Sequence, residues 1–295
     1  MLISGVEAMY INDIFKNKRS VYSFEVFPPK KATGFEAVKE TVKTLSSMPI
    51  DYMSVTYGAG GSTSKSTPDV ANYIQNDCDL TALAHLTCIS SSKSEIKSIL
   101  DDLKDKGIKN ILALRGDLPE NGTVATDYKH ASDLINEIKS YGGFCVGGAC
   151  YPEMHPDSES MEQDIENLKI KADCGCDFFV TQMFFDNDKF YEFRNKLQQK
   201  GINLPITAGI MPLTNINQIE RMCLLSGGAS MPSKFTRMFA RYEHNPEALK
   251  QAGIAYAIDQ ITELLSNNID GIHLYTMNKS EVAQKITDIV TPLFD

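Results

Sequence analysis

The first residue in this sequence that could do chemistry is an acid set inside an apolar run: Glu25, between Phe24 and Val26 and followed by Phe27-Pro28-Pro29. A carboxyl left unpaired in such surroundings favours its protonated form by desolvation, which makes a usable proton donor near neutral pH. The plainer reading is a salt-bridged core residue. Similar polar interruptions recur along the chain. Thr56-Tyr57-Gly58, His85, Arg115-Gly116-Asp117, Tyr151-Pro152-Glu153-Met154-His155, Gln182 and Asn278-Lys279 each stand in or just after a short apolar run. Taken singly, His85 reads as a satisfied core histidine, Arg115 with Asp117 as an ion pair, Lys171 as a solvated helix face and Asp133 as helix surface. Gln182 inside FFVTQMFF is harder to dismiss, because a buried amide needs partners and a polar ligand supplies them.

The elements that must position these groups follow from the apolar runs themselves. These are Val21–Phe27, Tyr52–Tyr57, Thr81–Cys88, Asn110–Arg115, Phe144–Cys150, Phe178–Phe185, Pro205–Met211 and Gly271–Met277. Near-continuous apolar character predicts strands covered on both faces. Amphipathic stretches lie between them. Ser94–Lys106 brings Ile96, Ile99, Leu100 and Leu103 to one helical face and has Gly107 where a C-cap falls, and Ser160–Ala172 has the same character. Strand and helix alternate with a repeat of roughly 30 residues, a βα unit's length. Eight such units predict an α/β fold of the (β/α)8 TIM-barrel type, parallel and eight-stranded, with a helical insertion across Leu213–Ile269 before the last strand. An open doubly wound sheet is the alternative. Against it, no strand is followed by GxGxxG, and GAGGST after Tyr57 has neither Rossmann spacing nor the Walker lysine. In a barrel, reactive groups gather at the C-terminal ends of the strands, where these polar interruptions fall. One domain spanning 1–295 is expected, since barrels of about 250 residues form one unit.

Composition narrows the function classes. The chain is 42% hydrophobic and 23% charged, with a formal net charge of −9 and a sequence pI of about 5.1. An acidic surface without a basic arm speaks against nucleic acid as a partner. No apolar stretch reaches the ~20 residues that cross a bilayer. The opening segment MLISGVEAMYINDIFKNKRS lacks the order of regions of a signal peptide, so a cytoplasmic protein is expected. The seven cysteines include no CxxC. Cys174 and Cys176 form a lone CxC without two further ligands, which predicts ordinary thiols and no metal site.

At these same residues the sequence resembles a known family. SFEVFPPK, SVTYGAGGST, AHLTC, ILALRGDLP, ACYPEMHP, VTQMFFD, AGIMP and HLYTMNK are similar, in order and over nearly the whole chain, to the blocks of methylenetetrahydrofolate reductases of the bacterial, catalytic-domain-only type. The resemblance implies FAD at the barrel's C-terminal mouth, reduced by NADH or NADPH as co-substrate. The flavin then reduces 5,10-methylenetetrahydrofolate to 5-methyltetrahydrofolate, a step of one-carbon metabolism and methionine biosynthesis. Glu25 would be the general acid that protonates N10 of the folate. Asp117 would contact flavin and folate and stabilise the iminium cation. The family's cofactor positions fall on Thr56, Tyr57, Ala59, His85, Arg115, Gly116, Asp117, Ala131, Tyr151, His155, Asp164, Asn167 and Lys171, with His85, Arg115 and Lys171 as phosphate contacts. Gln182, Gln218, Met222 and Lys279 fall on folate-side positions.

Three departures from the family pattern matter. Lys279 stands where relatives carry Arg, so a bidentate clamp becomes a point charge. Met222 stands where Phe is common, and a thioether partly replaces that ring. The loop GAGGSTSK resembles clostridial or acetogen sequences, which makes a partner protein an alternative electron source and this chain the flavin subunit of a larger folate-reducing complex. A homo-oligomer is expected. Because the chain ends soon after the last strand, no regulatory domain and no control by S-adenosylmethionine are expected. A barrel that moves methyl groups without flavin would call for a metal or thiolate site that the cysteine spacing does not offer.

Overall fold

A computed structural model describes residues 9–29, 31–57, 66–117, 127–218 and 230–294. Ala59 and Met222 lie outside the described residues. Eight parallel strands close into one barrel: β1 (Val21–Val26), β2 (Tyr52–Val55), β3 (Thr81–Thr87), β4 (Asn110–Leu114), β5 (Cys145–Cys150), β6 (Phe178–Thr181), β7 (Ile206–Ile210) and β8 (Gly271–Tyr275), with β8 pairing back on β1. Every expected strand is present, and all but β5 end before their apolar run does. Tyr57, Arg115 and Gln182 are among the residues just past the strand ends, and Arg115 and Gln182 still bond to the neighbouring backbone, at Ile89 and Cys150.

Ten helices are described: α1 (Ile11–Asn17), α2 (Phe35–Ser46), α3 (Thr67–Asn72), α4 (Lys93–Asp105), α5 (Ala131–Tyr141), α6 (Met161–Asp173), α7 (Asn187–Gln199), α8 (Ser233–Tyr242), α9 (Pro246–Ser266) and α10 (Ser280–Val290). Local chemistry sets their ends. Ser92 caps α4 in a reciprocal box with Glu95, and Gly107 just past its end takes a φ of 73°, which a side chain rarely adopts. Ser160 accepts from Gln163 N at the start of α6. Asp133 is more than helix surface: it caps α5 by accepting from the Lys129 and His130 amides. The insertion before β8 contributes α8 and α9.

The outward faces of the strands, with Phe24, Met53, Ala84, Ile111, Val146, Phe179 and Leu274, pack under the helices. Inside the barrel, Val21, Tyr52, Leu83, Leu112, Cys145 and Phe178 form an apolar layer at the N-terminal end, which α1 closes with Ile11 and Ile14. Burying each such side chain contributes about 1.5–3 kcal/mol. The six described cysteines are free, and burial pushes the Cys176 thiol up to about 12. Among the described residues no helix is long and apolar enough to cross a membrane.

Candidate active site

Side chains alternate across a strand, so the residues two positions above the apolar layer also face the barrel axis. There the interior turns polar. On β1 these are Ser23 and Glu25; the register sets Ser23 beside His273 of β8, and Glu25 beside Ser54 of β2 and Tyr275 of β8. Glu25 is 7% exposed. Its Oε2 stands 3.6 Å from His85 Nε2 and 3.7 Å from His273 Nε2. The expectation of an unpaired carboxyl is corrected here, because barrel closure brings an imidazole to it from each side.

Those two imidazoles differ. His273 is fully buried, with Nδ1 2.7 Å from Ser23 Oγ and Nε2 3.2 Å from Ser54 Oγ. His85 Nε2 has no hydrogen-bond partner among the described residues. Burial lowers the His85 pKa to about 4, against the raising effect of Glu25. At neutral pH His85 is therefore uncharged, so toward a phosphate it offers a hydrogen bond and not a charge. It pairs in register with Leu112, three residues below Arg115, which places it deeper than the strand-end cluster.

That cluster lies over β4 to β6. Arg115 Nη2 pairs with Asp157 Oδ2 at 2.8 Å, and the Cys88 and Ile89 amides hold the Arg115 carbonyl. Gly116 follows at a φ of 89°, and a Cβ there would stand 3.0 Å from Thr87 Cβ, so the backbone turns where only glycine fits easily. Asp117 is exposed at the end of this turn, close enough for its charge to act on the Tyr151 phenol. Tyr151 packs edge-on against His155, centroids 4.6 Å apart. His155 Nδ1 accepts from the Asp157 amide at 3.1 Å, so neutral His155 carries its hydrogen on Nε2. Asp164 accepts from the His155 amide and Ser158 Oγ, which makes it the brace of this loop. Asn167 and Lys171 follow Asp164 at helical spacing on α6. Lys171 Nζ donates to the Ala149 carbonyl at 2.8 Å. Burial lowers the Lys171 pKa, and the Arg115 charge adds to the lowering. These two positive charges act on one another, and such a pair suits an anion beside them. Ala131 is buried at the start of α5, and Thr56 and Tyr57 are half-buried just past β2.

The expected folate-side residues divide. Gln182 Oε1 takes the Met183 amide at 2.9 Å, so part of its need is met by the protein. Gln218 is a knot: its Oε1 accepts from Thr214 and Asn215, and its Nε2 donates to the Pro212 carbonyl. Lys279 Nζ reaches Thr214 Oγ1 at 3.3 Å in the same knot. Lys279, but not Gln218, borders an open cleft of about 790 Å³ by the ends of β7 and β8, lined also by Thr214, Asn278 and the first turns of α9 and α10. Asn278 ties this side to β1, accepting from the Phe27 amide and donating to its carbonyl.

Sequence reasoning missed His273, Ser23, Ser54 and Tyr275. The signal was available: in GIHLY, His273 and Tyr275 hold the same alternating parity that puts Ser23 and Glu25 inward on VYSFEV. Tyr275 donates to the Thr181 carbonyl at 2.7 Å, and burial, then the Glu25 charge, push its phenol well above the ordinary range.

Comparison with known proteins places this geometry. The sequence model of one family, described as methylenetetrahydrofolate reductase, matches residues 10–291. A 5,10-methylenetetrahydrofolate reductase of Pectobacterium carotovorum is 35% identical over 264 residues, covering 90% of this chain and 88% of that protein. Methylenetetrahydrofolate reductase (NADH) 1 of Arabidopsis thaliana is 36% identical across 92% of this chain, which spans 48% of that longer relative. Among solved structures, an uncharacterised Clostridium thermocellum protein that binds two copies of 5-methyl-5,6,7,8-tetrahydrofolic acid superposes with a TM-score of 0.66 at 16% identity, over 95% of this chain and 100% of that one. At that identity the likeness speaks for the fold alone.

Proposed function

The chain belongs to the methylenetetrahydrofolate reductase family, and from that premise we propose that it reduces 5,10-methylenetetrahydrofolate to 5-methyltetrahydrofolate with FAD over the barrel mouth and NADH or NADPH as electron source. One catalytic domain spanning 1–295 is part of this reading. The observation that carries it is Glu25, held inside the barrel between two imidazoles, with Arg115 and Lys171 contributing positive charge at the strand ends.

The residues present suit a flavin dinucleotide. Arg115 and Lys171 offer charge for its phosphates, and the Gly116 turn lets backbone approach a flat ring closely. Thr56, Tyr57, Ala59, Tyr151, His155, Ala131, Asp164 and Asn167 complete the assignment, with Asp164 acting by holding the His155 loop. His85 joins it as a neutral hydrogen-bonding group at the pocket floor. When bound, the flavin supplies the hydride.

The chain's own groups supply acid, charge and orientation. Glu25 gives a proton to N10 of the folate, the bond from N10 to the methylene carbon breaks, and the substrate is left as an N5 iminium cation. The Asp117 carboxylate stabilises that cation. Gln182 and Met222 are assigned to the folate side, and Lys279, in the cleft by β7 and β8, takes the anionic tail, with Gln218 fixing Thr214 beside it. The closed barrel below keeps water from the acid.

Anaerobic stopped-flow absorbance tests this directly. Purified protein is expected to be yellow, to bleach with NADH or NADPH, and to recover its colour on adding methylenetetrahydrofolate. Colour that neither nucleotide bleaches, with turnover appearing only beside a partner protein, would overturn the direct electron source and leave the folate step standing.

A further inference from the structure

The chain that leads from β8 to Lys279 is bent into a shape its residues adopt at a cost. Met277 and Asn278 stand at φ of 52° and 56°, two residues with side chains in succession in the left-handed region. The Lys279 amide closes this turn by donating to the Thr276 carbonyl at 2.9 Å. Asparagine enters that region more readily than most residues, and methionine does not. Such strain persists where surrounding contacts over-determine it. Here those contacts come from the end of β1. Phe27 precedes Pro28, which has no N–H to carry a ladder further. The Asn278 side chain takes both backbone groups of Phe27, accepting from its amide at 2.9 Å and donating to its carbonyl at 3.0 Å. An amide N–H only donates and a carbonyl only accepts, so these partners fix which way the Asn278 amide points. Beneath it, Thr276 Oγ1 donates to the Glu25 carbonyl at 2.7 Å and accepts from the Asn278 amide at 3.2 Å.

We propose that Asn278 is a positioning residue for the folate step: by gripping Phe27 it locks the Thr276–Lys279 turn to β1, and so fixes the reach between the Glu25 acid and the Lys279 anchor. This deepens the reading of Lys279 above and rests on it. Among the described residues no carboxylate pairs with Lys279, whose ammonium reaches the neutral Thr214 hydroxyl at 3.3 Å. Lys250 in the same cleft is held by Glu281 at 2.9 Å. Lys279 is therefore the cleft's lysine left open to an anion. Its long side chain loses rotamer freedom when it binds one, and a backbone already fixed by the turn keeps that ordering cost from growing further.

Folate KM and hydrogen exchange at one backbone amide test this together. Lys279→Ala should raise the KM for methylenetetrahydrofolate roughly ten- to a hundred-fold, the worth of a hydrogen bond to a charged group. Asn278→Gly suits the left-handed backbone and removes the grip, so the turn can still form but is no longer held. It should raise KM about ten-fold, leave bleaching by NAD(P)H unchanged and speed exchange at the Phe27 amide. A general defect of the fold would add to any other change, whereas positioning acts through the lysine. In the Lys279→Ala background, Asn278→Gly should therefore change KM by about two-fold or less. With methylenetetrahydropteroate, which lacks the glutamate tail, wild type and Asn278→Gly should behave alike. The proposal is overturned if Asn278→Gly leaves KM or Phe27 exchange at the wild-type value. It is overturned equally if the full effect of Asn278→Gly survives beside Lys279→Ala or on the tail-less substrate. Lys279→Ala with an unchanged KM would instead sink the anchor reading itself, and this proposal with it.

Discussion

The lower and upper layers of the barrel interior sit on the same strands at the same inward parity, two residues apart, yet they are built on opposite principles. Below, Val21, Tyr52, Leu83, Leu112 and Phe178 meet Ile11 and Ile14 in apolar contact. Above, Ser23, Ser54, Glu25, His85 and His273 bring hydroxyls, a carboxyl and two imidazoles into an interior equally hidden from solvent. Buried polar groups cost stability unless matched by hydrogen bonds. The match is incomplete: His85 Nε2 has no hydrogen-bond partner among the described residues, and Glu25 stands from both imidazoles at more than hydrogen-bond length. The lower layer and the outward strand faces thus hold the fold, which leaves the upper layer's residues to be selected by chemistry.

Breaking each layer in turn should separate the two roles. Glu25→Gln keeps size and burial but removes the acid. It is expected to slow reoxidation of reduced flavin by folate ~10²–10⁴-fold while bleaching by NAD(P)H persists and the melting temperature does not fall. Reoxidation at the wild-type rate would remove Glu25 from its role. Phe178→Ala is the mirror experiment. Phe178 is fully buried in the lower layer and fills the space that Gly147 leaves open, where a Cβ would stand 2.6 Å from its ring. Urea unfolding should show a loss of ~3–5 kcal/mol, with folate turnover per folded molecule close to wild type. A variant equally stable but slower would erase the division between the layers.

The strands were easy to read from sequence, and Glu25 and His85 stood out singly, but the groups that face them in the upper layer did not, for a physical reason. Apolar runs such as YMSVTY and NILALR declare strands because both faces need covering, and eight of them with helices between leave little choice but a closed barrel. Strand-end residues such as Arg115 and Gln182 stand out because polarity interrupts the run. His273 does not, since a single imidazole in GIHLY looks like a core histidine until the register pairs it with Ser23 across β1 and β8. Gln218 shows the opposite limit. Its type suits a folate contact, but only the fold reveals that its amide is consumed by Thr214, Asn215 and Pro212. Partnership across the barrel is set by closure, and closure is not a property of any one strand.

Acid should sharpen the contrast on the upper side alone. The His85 pKa falls from 6.5 to about 4 in the folded protein. The unfolded chain therefore binds a proton that the native state refuses between those values. The stability His85 contributes by staying neutral is present above pH 6.5 and is lost as pH falls toward 4. Its full size is up to about 3 kcal/mol. Carboxylates titrate in the same window, so the readout is the difference between wild type and His85→Gln in urea midpoints from pH 7 to pH 4. The wild type should lose more stability than the variant. Parallel curves would mean that His85 titrates normally and that the upper layer tolerates charge.

The smallest expected effect tests the border between the layers, because it comes from a residue with no side chain. Gly209 of β7 is buried, and a Cβ there would stand 2.5 Å from the Thr181 carbonyl oxygen and 2.6 Å from the Tyr275 hydroxyl. Gly209→Ala forces both the Thr181 backbone carbonyl and the Tyr275 ring to shift, so the Tyr275–Thr181 hydrogen bond cannot persist as it stands. Overpacking of this kind costs ~1–3 kcal/mol. Tyr275 meets His273 edge-on, centroids 5.5 Å apart, so its displacement reaches the imidazole that faces Glu25. Folate turnover should therefore fall along with stability. Tyr275→Phe is the control, since it keeps the ring and gives up only the hydroxyl, for about 1 kcal/mol and little change in turnover. If Gly209→Ala slowed folate reduction no more than Tyr275→Phe does, the ring's position would not matter to the acid. The upper layer would then tolerate the same repacking as the layer beneath it.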